Sequence, residues 1–203
     1  MKVAIVKVGG SLFDMPDLGP RLKEWLDRLT LRNILLVPGG GPMADAVREM
    51  DRLHGLGEKA SHWLALEALS VNAHFLKKIV AHSAVIHHLD QRLPLFRSGA
   101  TAIMDMHSFA REDERRSGTL PKRWDVTSDS LAVRLALVAQ AEEVVLLKSV
   151  TIADGTRWEE AAREGWVDPF FPEVVKQAGN KLQIRAVNFR VTAPPLSKGG
   201  HGG

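Results

Sequence analysis

The chain has 203 residues, 45% of them hydrophobic and 25% charged, the balance of a globular domain with a substantial core. It contains no cysteine, which excludes disulfides and makes the cytoplasm the expected compartment. The net charge of +3 comes from lysines and arginines scattered among acids, with no basic stripe and no bilayer-length apolar run, so neither nucleic acid nor membrane is an expected partner.

Residues 1–8 read as a buried strand, and Lys7-Val8-Gly9-Gly10-Ser11 closes it with a tight turn. Exposed amides at such a loop, with Lys7 as a mobile point charge, attract phosphate. Leu18, Leu22, Trp25, Leu26 and Leu29 fall on one stripe and predict a helix over 18–31. Residues 33–37 repeat the strand and Pro38-Gly39-Gly40-Gly41-Pro42 repeats the loop. Pro42 then opens a helix that runs to residue 53. Neither loop ends in Gly-Lys-Ser/Thr, and neither has the spaced glycines of a dinucleotide site. A Gly-Gly pair after a strand can be a turn and nothing more. Two such pairs, one preceded by a lysine, point to phosphoryl transfer between two bound molecules. A side chain at Gly40 is expected to fill space the backbone needs for close approach to ligand.

Ser61 is expected to cap an Ala- and Leu-rich helix over 62–81. Residues 84–86 and 102–104 read as short strands, and the mixed-sign run 111–116 as a solvated loop. A helix over 129–141, a continuous apolar strand over 144–147, a helix over 171–178 and a strand over 183–188 complete the pattern. This alternation predicts an α/β fold, a three-layer α/β/α sandwich with a mainly parallel central sheet. It forms a single domain over 1–190; residues 191–203 lack periodicity and are expected to be a disordered tail.

Thr127-Ser128-Asp129-Ser130 stands at the head of the 129–141 helix. Any of these side chains can cap its free amides, and Asp129 can equally hold a lysine that meets a moving phosphoryl charge. Lys148 ends the strongest strand at the carboxyl edge, where open α/β sheets bind ligands, although a lysine there can simply be solvated. Asp154-Gly155 marks a turn shortly after it. His74, His82, His87 and His88 invite a metal reading. Adjacent histidines in a strand point to opposite faces, however, so satisfied or solvated rings are expected and no metal site is assigned. His54 and His62 flank residues 55–58 and can face a pocket or pack a helix. Arg48, one to two turns into the second helix, can pair with an anion or sit on the surface. Trp63, Trp124, Trp158 and Trp166 can stack on a ligand or fill the core.

The two glycine loops, Thr127-Ser128-Asp129-Ser130-Leu131-Ala132, and the segment from Leu147-Lys148 to Asp154-Gly155 occur in the order seen in the amino acid kinase superfamily. That superfamily includes acetylglutamate, aspartate, uridylate, carbamate and isopentenyl phosphate kinases, and the resemblance covers residues 1–190. It implies transfer of the γ-phosphoryl of ATP, with Mg2+, to a carboxylate, phosphate or carbamate on a small molecule, and a homo-oligomer is expected. It also implies Lys7 on the transferred group and Gly9, Gly10 and Ser11 as its backbone cradle. Gly39, Gly40 and Gly41, with Arg48, Thr127 and Ser128, fall on the acceptor side. Asp129 would orient the lysines, and Lys148, Asp154 and Gly155 fall on the nucleotide side.

The C-terminal part departs from the superfamily. Larger members add a longer nucleotide segment with another lysine, for which only Lys176 and Lys181 are candidates here. The stretches Leu120-Pro121 through Ser130 and Val167-Asp168-Pro169-Phe170-Phe171-Pro172 resemble the short branch that includes an archaeal aminomethylfuran phosphate kinase. That branch implies a setting in furan or pterin one-carbon cofactor synthesis. A non-catalytic nucleotide or oxyanion binder on the same fold, and a structural subunit whose glycines serve only as turns, are the alternatives.

Overall fold

Six apolar runs, most of them rich in Val, Ile and Leu, become six parallel strands, as expected of a sheet buried on both faces. The computed structural model describes residues 2–29 and 33–191. In chain order the elements are β1 (Val3–Val8), α1 (Leu18–Arg28), β2 (Asn33–Pro38), α2 (Gly41–His54), α3 (Glu58–Ile79), β3 (Ser83–Ile86) and α4 (Arg92–Arg97). They continue with β4 (Thr101–Met104), α5 (Met106–Asp113), α6 (Ser128–Ala139), β5 (Glu143–Lys148), α7 (Trp158–Arg163), α8 (Phe171–Ala178) and β6 (Gln183–Asn188). The sheet order is β3-β4-β2-β1-β5-β6, which sets the two ends of the chain's site-bearing region, β1 and β5, side by side at the centre.

Side chains alternate faces along a strand, so each strand feeds two cores. Val3 and Ile5 of β1 join the core beneath α6, whereas Val6 and Val8 join the core beneath α1. The 22-residue α3 serves both: Leu66 and Leu69 enter the first, Ala73 and Leu76 the second. Helices on both faces make the three-layer sandwich. No described helix is long and apolar enough to cross a membrane.

Several local expectations shift. Helix α3 begins at Glu58 behind Gly57, whose φ of 83° turns the chain, so Ser61 lies buried inside the helix and caps nothing. Helix α6 ends at Gln140, which takes the left-handed conformation with φ 54°. The short helices α4, α5 and α7 were not marked by the apolar period, being one to two turns long. The run 111–116 is not a solvated loop: it closes α5, and Asp113 is buried, accepting from Arg134 Nε and Nη2 of α6, each at 2.8 Å. A buried arginine on α6 turns one acid of that mixed run inward, a contact no local pattern encodes. The expected tail falls outside the described residues from 192 on, as do Met1 of the first expected strand and the last residues, 30–31, of the first expected helix.

Candidate active site

Strand parity builds the centre of the site. Lys7 shares the α6-facing side of β1 with Val3 and Ile5, and Lys148 shares the same side of β5 with Val144 and Leu146. The register pairs Lys7 with Leu146, so Lys148 lies two residues further along, at the carboxyl edge. The first turn of α6 passes over both. Asp129 Oδ1 lies 2.9 Å from Lys7 Nζ, and Asp129 Oδ2 accepts from Lys148 Nζ at 2.6 Å. All three side chains are buried.

Burial alone would raise the Asp129 carboxyl, but the two ammonium groups overcome it and hold the carboxyl at about 2. Burial, reinforced by Lys7, brings the Lys148 ammonium down to about 8 despite its contact with Asp129. With both oxygens occupied by lysines, Asp129 is not the helix cap. The cap comes from far downstream: Asp168 accepts from Thr127 N, Thr127 Oγ1 and Ser130 N on Oδ2, and from Ser130 Oγ on Oδ1, at 2.6–3.1 Å. Burial, then the nearby Asp129 charge, push the Asp168 carboxyl above its ordinary range.

The two glycine loops touch each other. A Cβ on Gly10 would stand 2.1 Å from Gly41 N, and one on Gly39 would stand 2.2 Å from Gly10 N. These glycines therefore make room for the opposite loop first and for a ligand second. Gly41, with φ 51°, needs the glycine conformation, whereas Gly40, at φ −73°, does not. Gly9 N donates to Leu147 O at 2.9 Å and Gly39 N to Val8 O at 2.8 Å, so neither amide is available to an anion, contrary to the expectation for Gly9. Gly10 and Ser11 open a 3-10 turn, and Gly40 and Gly41 open α2. Their amides precede the point at which intrahelical carbonyls become available. Asn72 of α3, missed in the sequence, fixes the second loop by donating to Gly39 O and Gly40 O at 2.8 and 2.7 Å. Gly10→Ala is expected to cost about 1–3 kcal/mol of stability, because backbone rather than a flexible side chain would have to yield. Denaturant unfolding of the variant checks this.

A cavity of about 480 Å³ opens beside the loops, lined by Lys7, Gly10, Ser11, Gly40 and Gly41 at one end. Thr127, Ser128, His62, Trp124 and three arginines line the rest. Arg48 donates to Asp45 at 2.6 Å and lies 5.3 Å over the Trp124 ring, whose Nε1 donates to Asp51 at 2.8 Å. Arg123 grips Asp125 through two nitrogens at 3.0 and 2.9 Å. Arg190 donates to Ser11 O at 2.6 Å and to Asp14, tying the end of β6 to the first loop. Burial lowers His62, the one loop-flanking histidine that reaches the cavity; His54 is exposed. Arg123 and Arg190 carried no local signal in the sequence.

Other expected residues lie elsewhere. Asp154 and Gly155 occupy an exposed turn after β5 and do not line the cavity. Their turn signal was real, but a turn marker says nothing about where the loop points. Lys176 and Lys181 are exposed and outside the lysine cluster. His87 and His88 follow β3 rather than lying in it, with Nδ1 atoms 3.2 Å from Ser108 Oγ and 3.5 Å from Glu112 Oε2. Trp158 packs edge-on against Phe171, and Trp63 lies under Arg111.

Residues 2–155 match the amino acid kinase family. A curated relative, [5-(aminomethyl)furan-3-yl]methyl phosphate kinase of Methanocaldococcus jannaschii, is 25% identical over 147 residues. That match covers 72% of this chain and 65% of the relative, so the chain spans about two thirds of the relative's length. Among solved structures, uridylate kinase from Archaeoglobus fulgidus superposes with a TM-score of 0.63 at 16% identity, covering 94% of this chain and 92% of its own. UMP kinase from Bacillus anthracis gives 0.65 at 12% identity, covering 93% and 87%. The sheet order, the paired glycine loops and a match over more than half of the sequence agree, and the chain belongs to the amino acid kinase family.

Proposed function

We propose that this chain is an ATP-dependent small-molecule kinase that moves the γ-phosphoryl group to a phosphate or carboxylate acceptor. One observation carries the reading: a single buried carboxylate, Asp129, holds two lysines, of which Lys7 lines the cavity that the glycine loops enter and Lys148 lies behind it. The residues fit a polyphosphate. Two ammonium groups and the first-turn amides of Gly10, Ser11, Gly40 and Gly41 are the donors that a transferred phosphoryl group requires. When bound, ATP supplies the phosphoryl group and Mg2+ neutralises its oxygens. No described carboxylate is assigned to the ion, since both oxygens of Asp129 already face lysines.

In this reading Lys7 and Lys148 meet charge that develops on the transferred group, and Asp129 fixes their positions. Arg48, Arg123 and Arg190, each held by a carboxylate, suit an anionic acceptor, and Trp124 and His62 offer flat surfaces to its body. A phosphate or carboxylate acceptor is already ionised, so positioning and electrostatics suffice without a general base. The phosphate kinase named above favours a phosphomonoester acceptor, in a cytoplasmic pathway of furan or pterin one-carbon cofactor synthesis. The reading includes a homo-oligomer: Met43 and Met50 on α2, and Leu64, Val71 and Phe75 on α3, are exposed apolar side chains at helical spacing.

The test is ADP release with ATP, Mg2+ and a panel of phosphomonoesters and carboxylates. Turnover of at least one acceptor is expected. ATP binding by calorimetry without turnover of any acceptor would instead favour the non-catalytic binder, a reading supported by the exposed positions of Lys176 and Lys181.

The pH dependence has a definite sign. Lys148 is charged below about 8 and neutral above it. If the charged form meets the phosphoryl group, kcat/KM falls as pH rises through about 8. A profile flat from pH 7 to 10 would remove Lys148 from the chemistry.

A further inference from the structure

Asp168 does not line the cavity, yet it is buried and accepts four hydrogen bonds from Thr127 and Ser130 at the head of α6. Ordinary helix caps come from the residue just before the helix. Here Thr127 occupies that position and makes no cap with its own side chain; its hydroxyl is turned to Asp168 instead. The backbone around Asp168 is itself anchored. Phe171 N donates to Asp168 O at 3.0 Å, and Phe170 N donates to Asp125 O at 3.2 Å, so the 167–171 segment is stitched to the strand of residues that leads into α6. Asp129 lies between the two residues that Asp168 holds. Among the described residues Lys148 contacts Asp129 of α6, and Lys7 of β1 shares that carboxylate.

We propose that Asp168 is a positioning residue of the phosphoryl-transfer site: it sets the first turn of α6 so that Asp129 reaches both lysines. The inference rests on the kinase reading above for its catalytic consequence. Two substitutions separate the geometry of this carboxylate from its charge. Asparagine at this position can still accept from Thr127 and Ser130 N through its oxygen and can donate to Ser130 Oγ through its nitrogen, so Asp168→Asn keeps the geometry and removes the charge. Asp168→Ala removes both.

The placement of Asp129 is read in the ligand-free protein by NMR titration of ¹³Cε-labelled lysines, with the Lys148 signal assigned by its loss in Lys148→Met. In Asp168→Ala the Lys148 titration is expected to move down, because Asp129 no longer reaches it, and in Asp168→Asn to stay closer to the wild type. The catalytic consequence is read in turnover, measured well below the melting temperature of the variant. In Asp168→Ala kcat is expected to fall about 10²-fold, with KM for ATP little changed, the signature of a displaced rather than a lost contact. An unmoved Lys148 titration in a folded Asp168→Ala overturns the inference, and so does a folded Asp168→Ala with the wild-type kcat. Should the wild type release no ADP with any acceptor while the titration moves as stated, the kinase reading fails and the positioning of Asp129 by Asp168 stands.

Discussion

Asp129→Asn is expected to lower turnover about 10³-fold, the upper range for removing one preorganised electrostatic group. The substitution preserves size and leaves the helix cap untouched, because Asp168 rather than Asp129 satisfies the first turn of α6. What it removes is the anion that, among the described residues, contacts both Lys7 and Lys148. Two buried ammonium groups then face one another, and stability at neutral pH should drop by about 3 kcal/mol, as when one partner of a buried ion pair is deleted. This loss separates the lysine-holding role, expected from the sequence, from the alternative of Asp129 as a cap, in which asparagine would be neutral.

The stability deficit has a pH signature. Lys148 already releases its proton near 8 in the folded protein, against 10.5 ordinarily, and without Asp129 it should release it lower still. Between the folded value and 10.5 the unfolded chain holds more protons, so stability of the variant rises with pH across that window. The wild-type carboxylate works in the opposite range: its contribution is present above its ordinary 3.8 and is lost as pH falls toward about 2. Denaturant unfolding at pH 7 and 9.5, with ADP release at pH 7, checks both parts. Wild-type turnover in Asp129→Asn would end the assignment.

Lys7→Ala is expected to cut turnover by at least about 10²-fold while the protein stays folded. Removing Lys7 costs little stability because Asp129 keeps Lys148 at 2.6 Å as its counter-ion, so no buried charge is stranded. Lys7→Arg should not restore the rate. A planar guanidinium is larger than an ammonium, and the Lys7 side chain is almost fully enclosed between β1, Asp129 and the first loop. Steady-state kinetics with a turned-over acceptor, alongside a melting curve, decides the matter. Near-normal turnover in Lys7→Ala would place the transferred group elsewhere.

Local signals in the sequence were enough for the scaffold. Continuous apolar runs such as 144–147 and 34–37 need burial on both faces, and that requirement led to a parallel sheet covered by helices. Glycines after β1 and β2 marked sharp turns, and Lys7, Asp129 and Lys148 stood out as charges at strand and helix ends. Even the face shared by each lysine and its apolar neighbours follows from a period of two residues.

Tertiary structure decided which of those residues meet. That β1 and β5 are adjacent is a property of the sheet order, since some 140 residues separate them, and only their adjacency lets one carboxylate bridge Lys7 and Lys148. Asp168 caps a helix whose first turn lies 38–41 residues earlier, and Asn72 pins a loop 32–33 residues before it. The close approach of Gly10 to Gly39 and Gly41 is likewise invisible in either loop alone. Asp154 and Gly155 show the converse: a turn signal read correctly as a turn, at exposed positions outside the cavity lining. Backbone conformation responds to neighbours a few residues away, and the sequence therefore determined the elements. A buried charge responds to whatever the fold brings within a few ångströms, and so the partners of Asp129, Asp168 and the two lysines were settled only once the chain had closed on itself.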